Sequence, residues 1–497
     1  MKRLFTATSA VLFSVSITSH AVAQVTPEEV WQGWQKMGAT YGQAIIADQV
    51  IRTDDTLVVT ALKIAMDQDG AKIDGGVDEV RFRDLGNGTV EVTMTDTYTI
   101  DMIMPEDGKT QEINLKLTQP GVRMIAGGSA TRTEYSYSAP SVSMDMQISE
   151  DGTKLADIDT VLSGLAGRYT LDGHATTSML DSALSIDSVE FTIAAGDSES
   201  GANIAGSLAA LKLGSNGTFL GIEAMENMAQ ALREGFVADV DLSFGQGNYT
   251  VDIRDTGKAS KVVAANTTGH FRAKMAADSL RYGAGGTGVE MVVTGADIPF
   301  PEVRLNYKEA SFDFLMPLIS SENPTDFTFL TRIVDLAVSD DIWAMFDPAA
   351  TLPRDPATVI IDTKGKVRLT TDLMDEQAMS ALGESIPGEI HALDVSDLTV
   401  KFAGAELTGT GSVTFDNSDT VTFDGVPAPT GAFDLQIKGG NGLIDKLVAM
   451  GIIPADQAMV TRMMIAMIAK PGDGPDVLKS SLEFRDKGFF ANGQRLK

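Results

Sequence analysis

The stretch Val90-Glu91-Val92-Thr93-Met94-Thr95-Asp96-Thr97-Tyr98-Thr99-Ile100-Asp101-Met102-Ile103-Met104 decides how this chain folds. Val90, Val92, Met94, Tyr98, Ile100, Met102 and Met104 sit at even positions, and Glu91, Thr93, Thr95, Thr97, Thr99 and Asp101 fall between them. Extended backbone turns successive side chains to opposite sides. A period of two sustained this long therefore predicts strand with one buried face and one wet face.

The same pattern spreads in both directions. Upstream, Val80 and Phe82 alternate with Arg81 and Arg83 before a turn at Gly86-Asn87-Gly88. Downstream it returns at Ile113/Leu115/Leu117, Val142/Met144/Met146/Ile148, Val189/Phe191/Ile193, Val240/Leu242/Phe244 and Tyr249/Val251/Ile253. Later come Val289/Met291/Val293, Val303/Leu305/Tyr307 and Phe433/Leu435/Ile437. Asp151-Gly152, Asp172-Gly173, Asn216-Gly217 and Asp424-Gly425 read as hairpin turns between such runs. The expected fold is mainly β: an extended, curved antiparallel sheet with a few peripheral α-helices.

Helix signals are sparse. Thr26-Pro27-Glu28-Glu29 is a capping box with proline at the first helical position, and Trp31, Trp34, Met37, Tyr41 and Ile45 follow at near-helical spacing. Helices are also expected near 219–235, after Asn323-Pro324-Thr325-Asp326, after Ser339-Asp340-Asp341, and as a C-terminal pair broken at Gly451. Residues 24–497 read as one β-rich region, with two lobes, 24–235 and 236–497, as the finer division.

Met1-Lys2-Arg3, a short apolar run to Phe13 and Ala21-Val22-Ala23 before Gln24 have the three parts of a secretory signal peptide. Cleavage between Ala23 and Gln24 is expected, leaving a periplasmic protein without a transmembrane anchor. With no Cys, stability must come from the core rather than from disulfides. A formal net charge of −29 repels phosphate backbones, so nucleic acid is not an expected partner.

Motifs that would carry chemistry fail on context. Gly283-Ala284-Gly285-Gly286-Thr287-Gly288 fits the dinucleotide pattern, but a strand-like run follows where a helix must open, so a glycine-rich hairpin is the better reading. Asp107-Gly108-Lys109-Thr110 lacks the leading glycine of a phosphate loop, since position 103 is Ile103. Asp67-Gln68-Asp69-Gly70 breaks EF-hand spacing at Ala71 and Lys72, which leaves only loose surface calcium binding open. His174, His270 and His391 stand far apart without thiol partners. No catalytic, cofactor-binding or metal residue is nominated, no cofactor is expected, and the chain is read as a non-enzyme. Met459, Met463 and Met467, at four-residue spacing, are the candidate apolar contact. A helix plugging the end of the sheet accounts for the same pattern.

Asp341-Ile342-Trp343-Ala344-Met345-Phe346-Asp347-Pro348 with Leu352-Pro353-Arg354-Asp355-Pro356-Ala357-Thr358 resembles the domain-of-unknown-function 2125 family. Leu443-Ile444-Asp445-Lys446-Leu447 and Gly488-Phe489-Phe490-Ala491-Asn492-Gly493 are similar to that family too. The resemblance implies an alphaproteobacterial exported protein and carries no catalytic residues with it. The ending is also similar, at the level of fold, to AsmA-like envelope proteins, which implies an apolar sheet face that holds lipid. The expected function is envelope maintenance through an apolar groove taking lipid acyl chains or a segment of an envelope protein. A closed interaction scaffold and a carboxylate-dependent hydrolase are the alternatives.

Overall fold

The computed structural model describes residues 24–497 apart from 69, 107, 130, 175–176, 198 and 384. The signal-peptide reading of 1–23, cleavage at Ala23, the Asp69 and Asp107 readings and the side chain of His174 lie outside the described residues. Strand dominates, and every strand ladder described below is antiparallel. The chain forms two units: one of residues up to 263 with 295–297, the other of 264–294 with 298–497.

The N-terminal unit is a meander. Thr56–Gln68 pairs with Ala71–Asp84, which faces two shorter strands in line, Val90–Met94 and Thr97–Glu106. Lys109–Thr118 and Arg123–Ser129 follow, then the long hairpins Arg132–Glu150, Thr153–His174, Thr177–Gly196 and Ser200–Phe219. The stretch 90–104 is thus two strands rather than one. The break at Thr95-Asp96 keeps its stripe inward: Val90 and Val92 are fully buried, and Ile100 and Met102 nearly so.

The neighbouring ladder kinks at the same level, with its register unbroken. Leu57 and Val59 are buried at odd positions and Leu62 at an even one, and between them Ala61 takes φ 49°. An alanine in the left-handed region is uncommon, and it shifts which alternate side chains face inward. Gly164, at φ 64°, makes the same turn farther on; a Cβ there would sit 2.1 Å from Asp187 Oδ2. Only glycine fits.

The first helix, Pro27–Thr40, fills the apolar side of this unit. Its capping box forms as the sequence predicts, with Thr26 Oγ1 accepting from the Glu29 N–H and Glu29 from the Thr26 N–H. Val30, Trp31 and Trp34 are buried, and Trp34 meets the Phe82 ring edge-on at 5.2 Å. Tyr135 stacks on Tyr169 at 4.5 Å in the same core. Burial raises both phenol pKa values well above the ordinary range.

The C-terminal unit stacks Thr268–Ala276, Ser279–Gly295, Val303–Met316, Thr325–Val338, Ala357–Leu369, Gly388–Phe402, Ala405–Asp416, Ala428–Lys438 and Val477–Arg485 in sequence order. Helices Asp340–Phe346, Gly440–Ala449 and Ala455–Ile468 appear where the sequence puts them.

Several sequence readings need correction. The helix expected after Asn323 is the strand Thr325–Val338. Phe327, Phe329, Thr331 and Ile333 alternate on one face, and Leu330 and Val334 lie on the other. β-branched and aromatic residues in a paired strand outweigh the proline-led start. Asp172-Gly173 and Asn216-Gly217 are not turns but lie inside long strands. The glycine run 283–288 is likewise strand interior, with Gly288 taking φ 60° opposite Lys308 while the register continues unbroken. Helix Glu376–Leu382, capped by Asp375, was not foreseen.

Candidate functional site

Antiparallel partners share a face, so register assigns the two sides of the C-terminal unit. Tyr282 pairs with Phe314, Phe314 with Phe329, Phe329 with Thr363 and Thr363 with Val395. The row continues through Gly411 and Phe433 to Leu482. Beside it run Phe312, Thr331, Ile361 and Leu398. This side is mostly apolar across eight strands.

Its aromatic rings touch in series. Phe271 meets Tyr282 edge-on at 5.3 Å, Tyr282 meets Phe312 at 6.4 Å, and Phe312 meets Phe329 edge-on at 5.8 Å. The Phe327 ring lies over Gly365, where a Cβ would stand 2.5 Å from Cε1. Yet the row is not a closed core. Tyr282 is 48% exposed and Phe312 37%, whereas Phe82 in the N-terminal unit is 0%. Side chains this large are usually covered in a folded domain, and here they form a contiguous half-open patch.

The opposite side is an ion-pair ladder. Arg281 binds Asp313 at 3.1 Å, Lys366 binds Asp326 at 2.8 Å, and Lys401 and Lys438 hold Glu406 at 3.1 and 3.3 Å. Lysine hydrogen bonds, Lys401 foremost, hold Glu406 below the usual carboxylate range. Lys364, Asp394, Thr410 and Ser412 line a shallow open depression of about 570 Å³.

One end of the apolar face is closed by helices. Trp343 of Asp340–Phe346 stacks on Phe402 at 5.8 Å, and Leu443, Leu447 and Met450 pack around it with Leu352 and Ala403. Asp347 anchors this corner. It is fully buried, and its carboxylate accepts the Thr351 N–H at 2.9 Å and the Leu352 N–H at 2.8 Å. Burial works to raise its pKa, but those two donors, the Thr351 hydroxyl and the nearby Arg354 charge win and hold it low.

The structure places the sequence candidates unevenly. Met459, Met463 and Met467 lie on Ala455–Ile468 and are 62–65% exposed, while Ala458 turns inward. The plug reading fits the preceding helix, through Leu443 and Leu447, and not these methionines. His270 is exposed, and His391 stands 3.5 Å from Glu389, which also binds Arg368. Among the described residues no cluster of His, Asp or Glu is arranged to hold a metal ion. No helix among them is long and apolar enough to cross a membrane.

Residues 250–493 match a family described as an uncharacterized protein conserved in bacteria (DUF2125). Over that stretch the chain belongs to this family. The DUF2125 region contains the aromatic row, the Asp347 corner and all three motifs that carry the resemblance in the sequence. No curated protein matches the chain. Among solved structures, BauA, the ferric preacinetobactin receptor of Acinetobacter baumannii, is 8% identical at a TM-score of 0.13, covering 91% of this chain and 79% of its own. A likeness that low carries no argument about fold or ligand.

Sequence reasoning did not single out the aromatic row. The signal was there in the pairs Phe312/Phe314 and Phe327/Phe329, each with one residue between. Which strands would become neighbours was not.

Proposed function

We propose that the DUF2125 region binds lipid acyl chains along its apolar sheet face, as a non-catalytic protein of the bacterial envelope. The half-open aromatic row from Phe271 to Phe329 carries this reading. An acyl chain gains by covering exposed ring surface and needs no polar anchor, and the row offers ring surface without charge. The ion pairs of the opposite face leave that side to water. The basic start, apolar run and Ala-Val-Ala site extend the proposal to export into the periplasm, which fractionation of cells would test. The closed-scaffold alternative suits the N-terminal unit, whose apolar side is filled by Trp31 and Trp34.

The test is titration of detergent-free protein with dansyl-undecanoic acid. Saturable enhancement and blue shift of dansyl emission, reversed by oleate, are expected. An unchanged spectrum at micromolar protein removes the acyl-chain reading.

A further inference from the structure

A second contact surface lies in the N-terminal unit and does not depend on the acyl-chain reading. Ala44–Ile46 and Gln49–Thr53 pair with Thr56–Gln68 and, among the described residues, with no other strand. They form an edge of the sheet. All five residues of Gln49–Thr53 are exposed, and Ile46, Val50 and Ile51 stand 53%, 47% and 52% open. Proteins blunt such edges with lysine, proline or a covering element, because unpaired backbone groups template another strand. No lysine or proline occurs between Ala44 and Asp55.

The hairpin geometry tells which groups are free. Thr53 closes on Thr56 across the two-residue turn Asp54-Asp55, with Asp54 at φ 51°. In such a hairpin the closing pair is hydrogen-bonded and alternate residues face inward. Val50 and Arg52 therefore turn their backbone N–H and C=O groups away from the sheet. Unpaired donors and acceptors in extended conformation fit one class of occupant, an extended segment added as a further strand.

Charge selects among such segments. Asp48, Asp54 and Asp55 flank the edge, and its one cation, Arg52, is already held by Glu28 at 3.1 and 3.2 Å. A second copy would bring the same carboxylates and a net charge of −29 to the contact, which opposes self-pairing. We propose that the 49–53 edge accepts an extended segment of a partner protein in which apolar residues alternate with lysine or arginine.

The test uses the full chain and a fluorescein-labelled acetyl-KVKVTVK-amide, followed by anisotropy and by hydrogen exchange. Saturable binding is expected, with slowed exchange at residues 49–53 and at least about tenfold weaker binding of the EVEVTVE analogue. Val50→Pro removes an outward donor without breaking a bond to Thr56–Gln68 and should abolish binding with the far-ultraviolet circular dichroism unchanged. If that variant fails to fold, Val50→Lys, which adds an edge charge like natural protected strands, should weaken binding about tenfold or more. Equal binding to the variant that folds, or no protection at 49–53, overturns the proposal. So does dimerisation in ultracentrifugation that Val50→Pro or Val50→Lys reverses, which would make a second copy the occupant.

Discussion

Truncating Phe312 to alanine separates ligand contact from folding. A phenylalanine side chain presents about 200 Å² of surface, and Phe312 leaves 37% of it open. An acyl chain lying on the ring would cover up to about 75 Å², worth about 2 kcal/mol at about 25 cal/mol per Å². Half coverage gives about 1 kcal/mol, so Phe312→Ala should weaken fatty-acid binding by between about fivefold and thirtyfold. The covered part of the same ring supports the sheet, and losing it costs about 3 kcal/mol of stability. Tyr282→Phe keeps the ring and serves as the control, with affinity unchanged. Dansyl-undecanoic acid titrations of the three proteins, each checked for folding by circular dichroism, give the comparison. A folded Phe312→Ala protein that binds as tightly as the parent would refute the reasoning.

Three further outcomes follow from the packing and the charges. Phe82→Ala removes a fully buried ring clasped by Trp31 and Trp34 and should cost about 3–5 kcal/mol in denaturant unfolding, so a loss under about 1 kcal/mol would contradict that core. Asp347→Ala should lower the melting temperature more than Asp347→Asn, which keeps one acceptor for the Thr351 or Leu352 N–H; equal losses would deny the carboxylate its anchoring role. Glu91 is held below its ordinary range by the Arg123 hydrogen bond and by Arg83, and Glu406 by Lys401 and Lys438. A depressed folded pKa contributes stability above the unfolded value and loses it as pH falls through the folded one, so the denaturation midpoint should drop below about pH 4 and an unchanged midpoint at pH 3 would contradict these pairs.

Strand content was legible because alternation is local. Each run from Val80 to Phe433 carries its own two-residue period, and the capping box at Thr26 needs four residues to be seen. What stayed hidden depends on neighbours far along the chain. Ala61 and Gly164 bend their strands where the sequence shows nothing unusual, because these kinks are set only once the strands lie side by side. The strand at 325–338 mimicked a helix since apolar residues on both faces fill helical and extended spacings alike. Turn dipeptides misled at Gly173 and Gly217 for a similar reason: long hairpins run straight through them. The exposed methionine stripe was correctly spaced on its helix, while the aromatic row, spread over four strands, had no single stretch to announce it.

Side-chain footprinting tests the open face most directly. Tyr282 and Phe312 should label with hydroxyl radical in the ligand-free protein and become protected when fatty acid is added, while Tyr135, 2% exposed, stays unlabelled throughout. Labelling of Tyr282 and Phe312 as slow as that of Tyr135 without any ligand would mean the face is closed, and the binding account would fall with it.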